Sequence, residues 1–109
     1  MAGNMSVQEL ADALKSGRDF LLLDVRTDEE IEVAAIPGHT QIPLHELEDR
    51  ADELDAWRGR EVVCLCHHGG RSAMAQQFLE AKGFSNVKNL VGGIHRYALE
   101  VDNRIPTYG

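Results

Sequence analysis

No stretch of the 109-residue sequence approaches the ~18 consecutive apolar residues of a membrane-spanning helix, so no membrane segment is expected. The opening MAGNMSVQEL has neither a basic start nor an apolar core, and no signal peptide is expected there. Positive charge is short: 11 Lys and Arg stand against 18 Asp and Glu, a formal net charge of −7. Nucleic acids and anionic membranes both reward a basic surface, so neither is an expected partner, although a local positive pocket stays open. Cysteine is scarce, with 2 in the chain, which excludes a disulfide framework. Cys64 and Cys66 lie two apart on one strand face, a poor geometry for pairing with each other. Free thiols suit a reducing, cytoplasmic setting. No repeat, low-complexity tract or Pro/Gly/Ser-rich linker divides the chain, and its length suits one domain over 1–109.

What is present alternates between strand and helix signals. SVQE at Ser6–Glu9 is a capping box that opens a helix ending near Gly17. FLLLDV at Phe20–Val25 is a continuous apolar run of strand length, as expected for a strand buried on both faces. TDEE at Thr27–Glu30 is a second capping box, for a helix through about Ala34. Ile36–Leu44 reads as a turn and a short extended piece, because each proline disfavours helix before it. LHELEDRADELDAW predicts one amphipathic helix, with Leu44, Leu47, Ala51, Leu54 and Trp57 inward and the carboxylates in solvent. EVVCLC is the next buried strand, SAMAQQFLEAKG a helix stopped by Gly83, NVKNL a short strand, and GGIHRYALEV the start of a last helix. That order implies an α/β fold of three layers, a central parallel sheet with helices on both faces.

Ligands of an open parallel α/β sheet bind beyond the carboxyl ends of its strands, and Cys66 falls at such an end. Gly69 and Gly70 let the next residues curl, turning successive N–H groups inward as a nest for negative charge. A helix starting near Arg71 aims its positive end at the same place, and His67, His68 and Arg71 add charge nearby. Such surroundings favour a thiolate, the form of cysteine that attacks. A structural cysteine before a Gly-rich turn would need none of these neighbours. The residues therefore point to a nucleophilic Cys66 in an anion cradle.

CHHGGRS resembles the active-site loop of the rhodanese (thiosulfate sulfurtransferase) family, of the form Cys-x-x-Gly-x-Arg-Ser. LLDVRTDEE, AAIPGHTQIPL and NLVGGIHRYALEVDNRIPTYG resemble further segments of that family in the same order, so the resemblance spans nearly the whole chain. It implies a rhodanese-like fold and an enzyme that moves sulfane sulfur through a persulfide on Cys66. The implied donor is a small anion such as thiosulfate, and the implied acceptor is cyanide, a thiol or a sulfur-carrier protein. It also implies a binding loop of His67, His68, Gly69, Gly70, Arg71 and Ser72, and no cofactor. Cys-x4-Arg separates this loop from the Cys-x5-Arg of phosphatases and arsenate reductases of similar fold. The longer loop has up to ~3.6 Å more chain, enough to admit a tetrahedral oxyanion where the shorter one suits a single sulfur. The ending also resembles rhodanese segments joined to activating enzymes that hand sulfur to a small carrier protein.

Ala34 and Ala35 replace the family's Gly-His, His39 follows Gly38 where a small residue is usual, and Tyr97 replaces a tryptophan. These exchanges are expected to affect packing, with His39 also a candidate to line the pocket. Asp24 and Arg26 end the first long strand and are secondary candidates, Arg26 either drawing in an anionic donor or paired with Asp24 in a structural salt bridge. No metal is expected, because neighbouring histidines rarely share an ion and no Cys-x2-Cys or His-x3-His spacing occurs. The rival reading is a non-enzymatic module that uses this fold to dock a protein partner.

Overall fold

The computed structural model describes residues 3–109; Met1 and Ala2, the head of the stretch read for a signal peptide, lie outside the described residues. Five parallel strands form one sheet in the order β1-β5-β4-β2-β3: β1 Asn4–Met5, β2 Leu21–Asp24, β3 Thr40–Gln41, β4 Val62–Leu65 and β5 Val87–Leu90. Helices α1 (Val7–Ser16), α2 (Asp28–Val33), α3 (Leu44–Arg50), α4 (Gly70–Ala81) and α5 (Gly93–Glu100) complete the layers. No helix among the described residues is long and apolar enough to cross a membrane.

Every residue of the neighbouring strands β2 and β4 is buried, as their unbroken apolar runs require. Alternation then divides them between two cores. Leu22, Val63 and Leu65 join Leu10, Ile94 and Tyr97 under α1 and α5. Leu21, Leu23, Val62, Cys64 and Cys66 join Leu47, Leu54, Ala75 and Leu79 on the opposite face. Both capping boxes form: Ser6 Oγ accepts from Glu9 N–H at 3.1 Å, and Thr27 Oγ1 accepts from Glu30 N–H at 3.4 Å.

Two elements differ from the sequence reading. The segment from Leu44 to Trp57 is not one α-helix: α3 stops at Arg50, and Ala51–Trp57 continues as a 3₁₀ helix. Its apolar residues explain the change. Ala51, Leu54 and Trp57 recur every three residues, a spacing that a turn of three residues stacks on one line and an α-helical turn spreads around its face. Edge strand β1 has no counterpart in the sequence reading, since two residues are too few to show alternation; it is fixed by pairing with Asn89 and Leu90.

Candidate functional site

The paired strands β2 and β4 end in register, Asp24 opposite Leu65, and Val25 N–H donates to Leu65 O at 3.0 Å. Cys66 therefore leaves the carboxyl edge of the sheet beside Arg26. Across from them, Ile94 N–H donates to Cys66 O at 2.9 Å and His95 N–H to His67 O at 3.1 Å. That approach requires Gly93. Its φ is +62°, and a Cβ there would overlap the carbonyl oxygens of both Cys66 and His67. The Gly-Gly turn before α5 thus forms one wall of the loop.

Cys66 Sγ accepts from Gly69 N–H at 3.0 Å and lies 3.3 Å from Ser72 Oγ. Gly69, at φ +115°, makes the turn that aims this N–H back at the sulfur. Ser72 is buried and has one proton for three neighbours: Asn89 Oδ1 at 2.5 Å, Gly69 O at 3.2 Å and the sulfur. Asn89 in turn donates to Gly69 O at 3.2 Å, so β5 pins the loop from below. A negative sulfur finds a fixed backbone donor and, if the hydroxyl rotates, a second one. Only 1% of Cys66 is exposed, which restricts Sγ to the approach of small groups. Cys64, on the strand below, is fully buried; burial pushes its thiol up to about 12, helped by charge on Cys66, so it stays neutral.

Arg71 directs its side-chain hydrogen bonds to a carboxylate while staying near enough to feel the charge of Cys66. Its guanidinium holds Glu30 of α2 with a pair of bonds at 2.6 and 2.8 Å. Those bonds, with a smaller contribution from the Tyr108 hydroxyl, hold the Glu30 carboxyl well below the usual carboxylate range despite partial burial. Tyr108 O–H donates to Glu30 Oε2 at 2.7 Å and accepts from Arg26 Nη1 at 3.0 Å. Arg26 is fully buried and paired with Asp24 at 2.6 Å, so of its two readings the structure displays the salt bridge and gives the guanidinium no exposed surface. A chain of polar contacts thus runs Asp24–Arg26–Tyr108–Glu30–Arg71, from the strand end to the first turn of α4.

The C-terminal tail completes the surroundings. Ile105 is buried in the core under α5, and Tyr108 stacks on the His67 ring at 4.0 Å and 9°. Burial, and secondarily the charge of His68, push His67 below the ordinary imidazole value. His68 and His95 close the group, with ring centroids 4.8 Å apart. His39 is elsewhere in role: its Nδ1 lies 2.9 Å from Ile36 O and holds the turn.

The structure keeps Cys66 to Ser72 together as the contiguous loop that the sequence predicts, and adds Glu30, Asn89, His95 and Tyr108, which sequence reasoning misses. Glu30 reads from the sequence only as a capping residue, yet both its carboxylate oxygens accept from Arg71, and the one not used in the cap also accepts from Tyr108. The other three come from distant strands, helices and the tail, and only the folded chain brings them to the loop.

The rhodanese-like domain family profile matches residues 6–100. A protein of Allochromatium vinosum named sulfurtransferase is 36% identical over 98 residues, covering 90% of each chain. A maize protein named adenylyltransferase and sulfurtransferase MOCS3-2 is 37% identical over 106 residues, 93% of this chain and 21% of its own length. The chain spans between 21% and 30% of several such longer relatives. The human single-domain sulfurtransferase TSTD1 superposes with a TM-score of 0.77 at 32% identity, over 93% of this chain and 98% of its own. A profile match that runs from the first capping box to the end of α5, on a fold shared at nearly full length with a single-domain sulfurtransferase, makes this chain a member of the rhodanese-like domain family.

Proposed function

We propose that the chain is a sulfurtransferase that carries sulfane sulfur as a persulfide on Cys66. The Cys66 thiolate attacks the outer sulfur of thiosulfate, a new S–S bond forms, and the old one breaks as sulfite leaves with the electron pair. Cyanide, a thiolate or a thiolate on a sulfur-carrier protein then attacks the outer sulfur, and the S–S bond breaks as the Cys66 thiolate leaves with its electron pair. With cyanide, thiocyanate departs and the thiolate is restored. Atoms and electrons balance in each half without a co-reactant.

The observation that carries this reading is the Gly69 N–H aimed at Cys66 Sγ at 3.0 Å, at the base of a four-residue spacer before Arg71. A donor fixed by the backbone stabilises negative sulfur without reorganising, in the attacking thiolate and in the leaving one. The short loop favours one sulfur over a tetrahedral phosphate. Arg71 supports the cradle through its paired bonds to Glu30 and adds positive charge near Cys66. Relatives named sulfurtransferases, one of them matched over 90% of both chains, support the same chemistry. The free thiols suit a reducing cytoplasm.

Steady-state thiocyanate formation tests the scheme. Covalent relay gives parallel double-reciprocal lines when thiosulfate and cyanide are varied. Intersecting lines, or turnover that survives Cys66→Ser, would exclude the persulfide.

A further inference from the structure

Three histidines meet beside the Cys66 loop, and nothing in sulfur transfer as proposed uses them. His67 and His68 follow the cysteine, and His95 arrives from the first turn of α5, held by its N–H bond to His67 O at 3.1 Å. One ring nitrogen from each lies within 4.8 Å of the other two. The rings approach at 3.9 Å for His67 with His68, 4.8 Å for His68 with His95 and 5.8 Å for His67 with His95. Among the described residues, Nε2 of His67 and Nδ1 of His95 are buried and lack any hydrogen-bond partner. Buried polar atoms are rarely left so, because each forfeits its bond to water on folding. Stacking on Tyr108, whose backbone also hydrogen-bonds the His67 ring, accounts for the plane of that ring but leaves its Nε2 without a partner.

We propose that His67, His68 and His95 form a three-imidazole site for a divalent transition-metal ion of the zinc class, joining the active-site loop to α5. Imidazole suits Zn²⁺, Co²⁺ and Cu²⁺ over the hard ions, and three protein nitrogens leave a fourth position open. Tetrahedral ligands at ~2.05 Å stand about 3.3 Å apart, so the nitrogens need to close by roughly 1.5 Å at most from their present limit. His68 is exposed and free to swing, while His67 and His95 are held in place by Tyr108 and by the backbone. Sequence spacing could not reveal the site, since the third ligand is 27 residues beyond His68. The proposal does not rest on the sulfur-transfer reading: the ion would bind whether or not Cys66 carries sulfur.

The test is Zn²⁺ binding to the untagged, reduced full chain by competition with a chromophoric chelator, repeated on Cys66→Ser, His68→Ala and His95→Ala. The expected result is one equivalent on the wild type and on Cys66→Ser, and affinity weaker by at least ~100-fold on either histidine variant. Far-UV dichroism checks that each variant folds; the exposed position of His68 makes that variant the safer one. Co²⁺ should give the visible bands of a tetrahedral nitrogen site without a thiolate charge-transfer band. No binding by the wild type would overturn the site. So would binding lost in Cys66→Ser but kept in the histidine variants, which would assign the ion to the thiolate.

Discussion

Gly93→Ala is the perturbation that most sharply separates backbone strain from damage to the loop. Gly93 has φ +62°, and its missing Cβ is the space occupied by the Cys66 and His67 carbonyl oxygens. Gly17, which caps α1, has φ +71° and nothing within 4 Å of where a Cβ would stand, so it shares the first cost and lacks the second. The left-handed conformation costs an alanine ~1–2 kcal/mol. Forcing an atom into packed space costs ~1–3 kcal/mol more. Either alanine also narrows the unfolded ensemble, which returns roughly 0.4–1 kcal/mol. The net expectation is about 1 kcal/mol lost for Gly17→Ala and about 2–4 kcal/mol for Gly93→Ala. In a domain of this size the larger loss lowers Tm by roughly 10–20 °C. Denaturant titration gives both differences, and thiocyanate formation measured well below each Tm reads the loop. Gly17→Ala should turn over normally and Gly93→Ala should not, because the carbonyls that must move belong to the nucleophile and its neighbour. Equal stability losses together with normal turnover in both variants would refute the close-approach argument.

The remaining predictions concern single side chains. Burial holds the Cys64 thiol at about 12, so iodoacetamide at pH 8 should leave Cys64 unmodified in the folded chain, and Cys64→Ser should keep most activity; equal loss in Cys64→Ser and Cys66→Ser would contradict the assignment. Burial, and secondarily acceptance by Glu30, hold Tyr108 at about 12 against the opposing pull of Arg26. The folded chain therefore keeps the phenolic proton more tightly than the unfolded chain. That stabilisation is complete below ~10 and is lost as pH rises through about 12, a dependence that Tyr108→Phe should remove from the pH–stability profile. Glu30→Gln replaces the charged partner of Arg71 and should cost about 1 kcal/mol by denaturant titration while reducing turnover, because the first turn of α4 loses its tie to α2. An unchanged turnover in Glu30→Gln would show that Arg71 positions nothing.

The layers of this fold are legible because its signals are local. Buried runs such as Leu21–Asp24 and Val62–Leu65, and the capping boxes at Ser6 and Thr27, act within a few residues of themselves. The switch to a 3₁₀ helix after Arg50 is present in the spacing of Ala51, Leu54 and Trp57, but an α-helical period tolerates that spacing too. The loop is legible for the same local reason, as Cys66 to Ser72 is contiguous. Its supports are not. Asn89 under Gly69, Glu30 and Tyr108 behind Arg71, and His95 beside His67 are all contacts between segments distant in sequence. Arg26 shows the limit most plainly: its place at a strand end fits a ligand-binding residue and a buried ion pair equally, and burial decides between them.

Intact-protein mass spectrometry after thiosulfate, on the wild type and on Cys66→Ser, tests the central claim most directly. The account predicts a gain of one sulfur atom on the wild type alone, removed by cyanide as thiocyanate. A wild-type chain with Cys66 reduced and intact that gains no sulfur would contradict it, as would a gain that survives in Cys66→Ser.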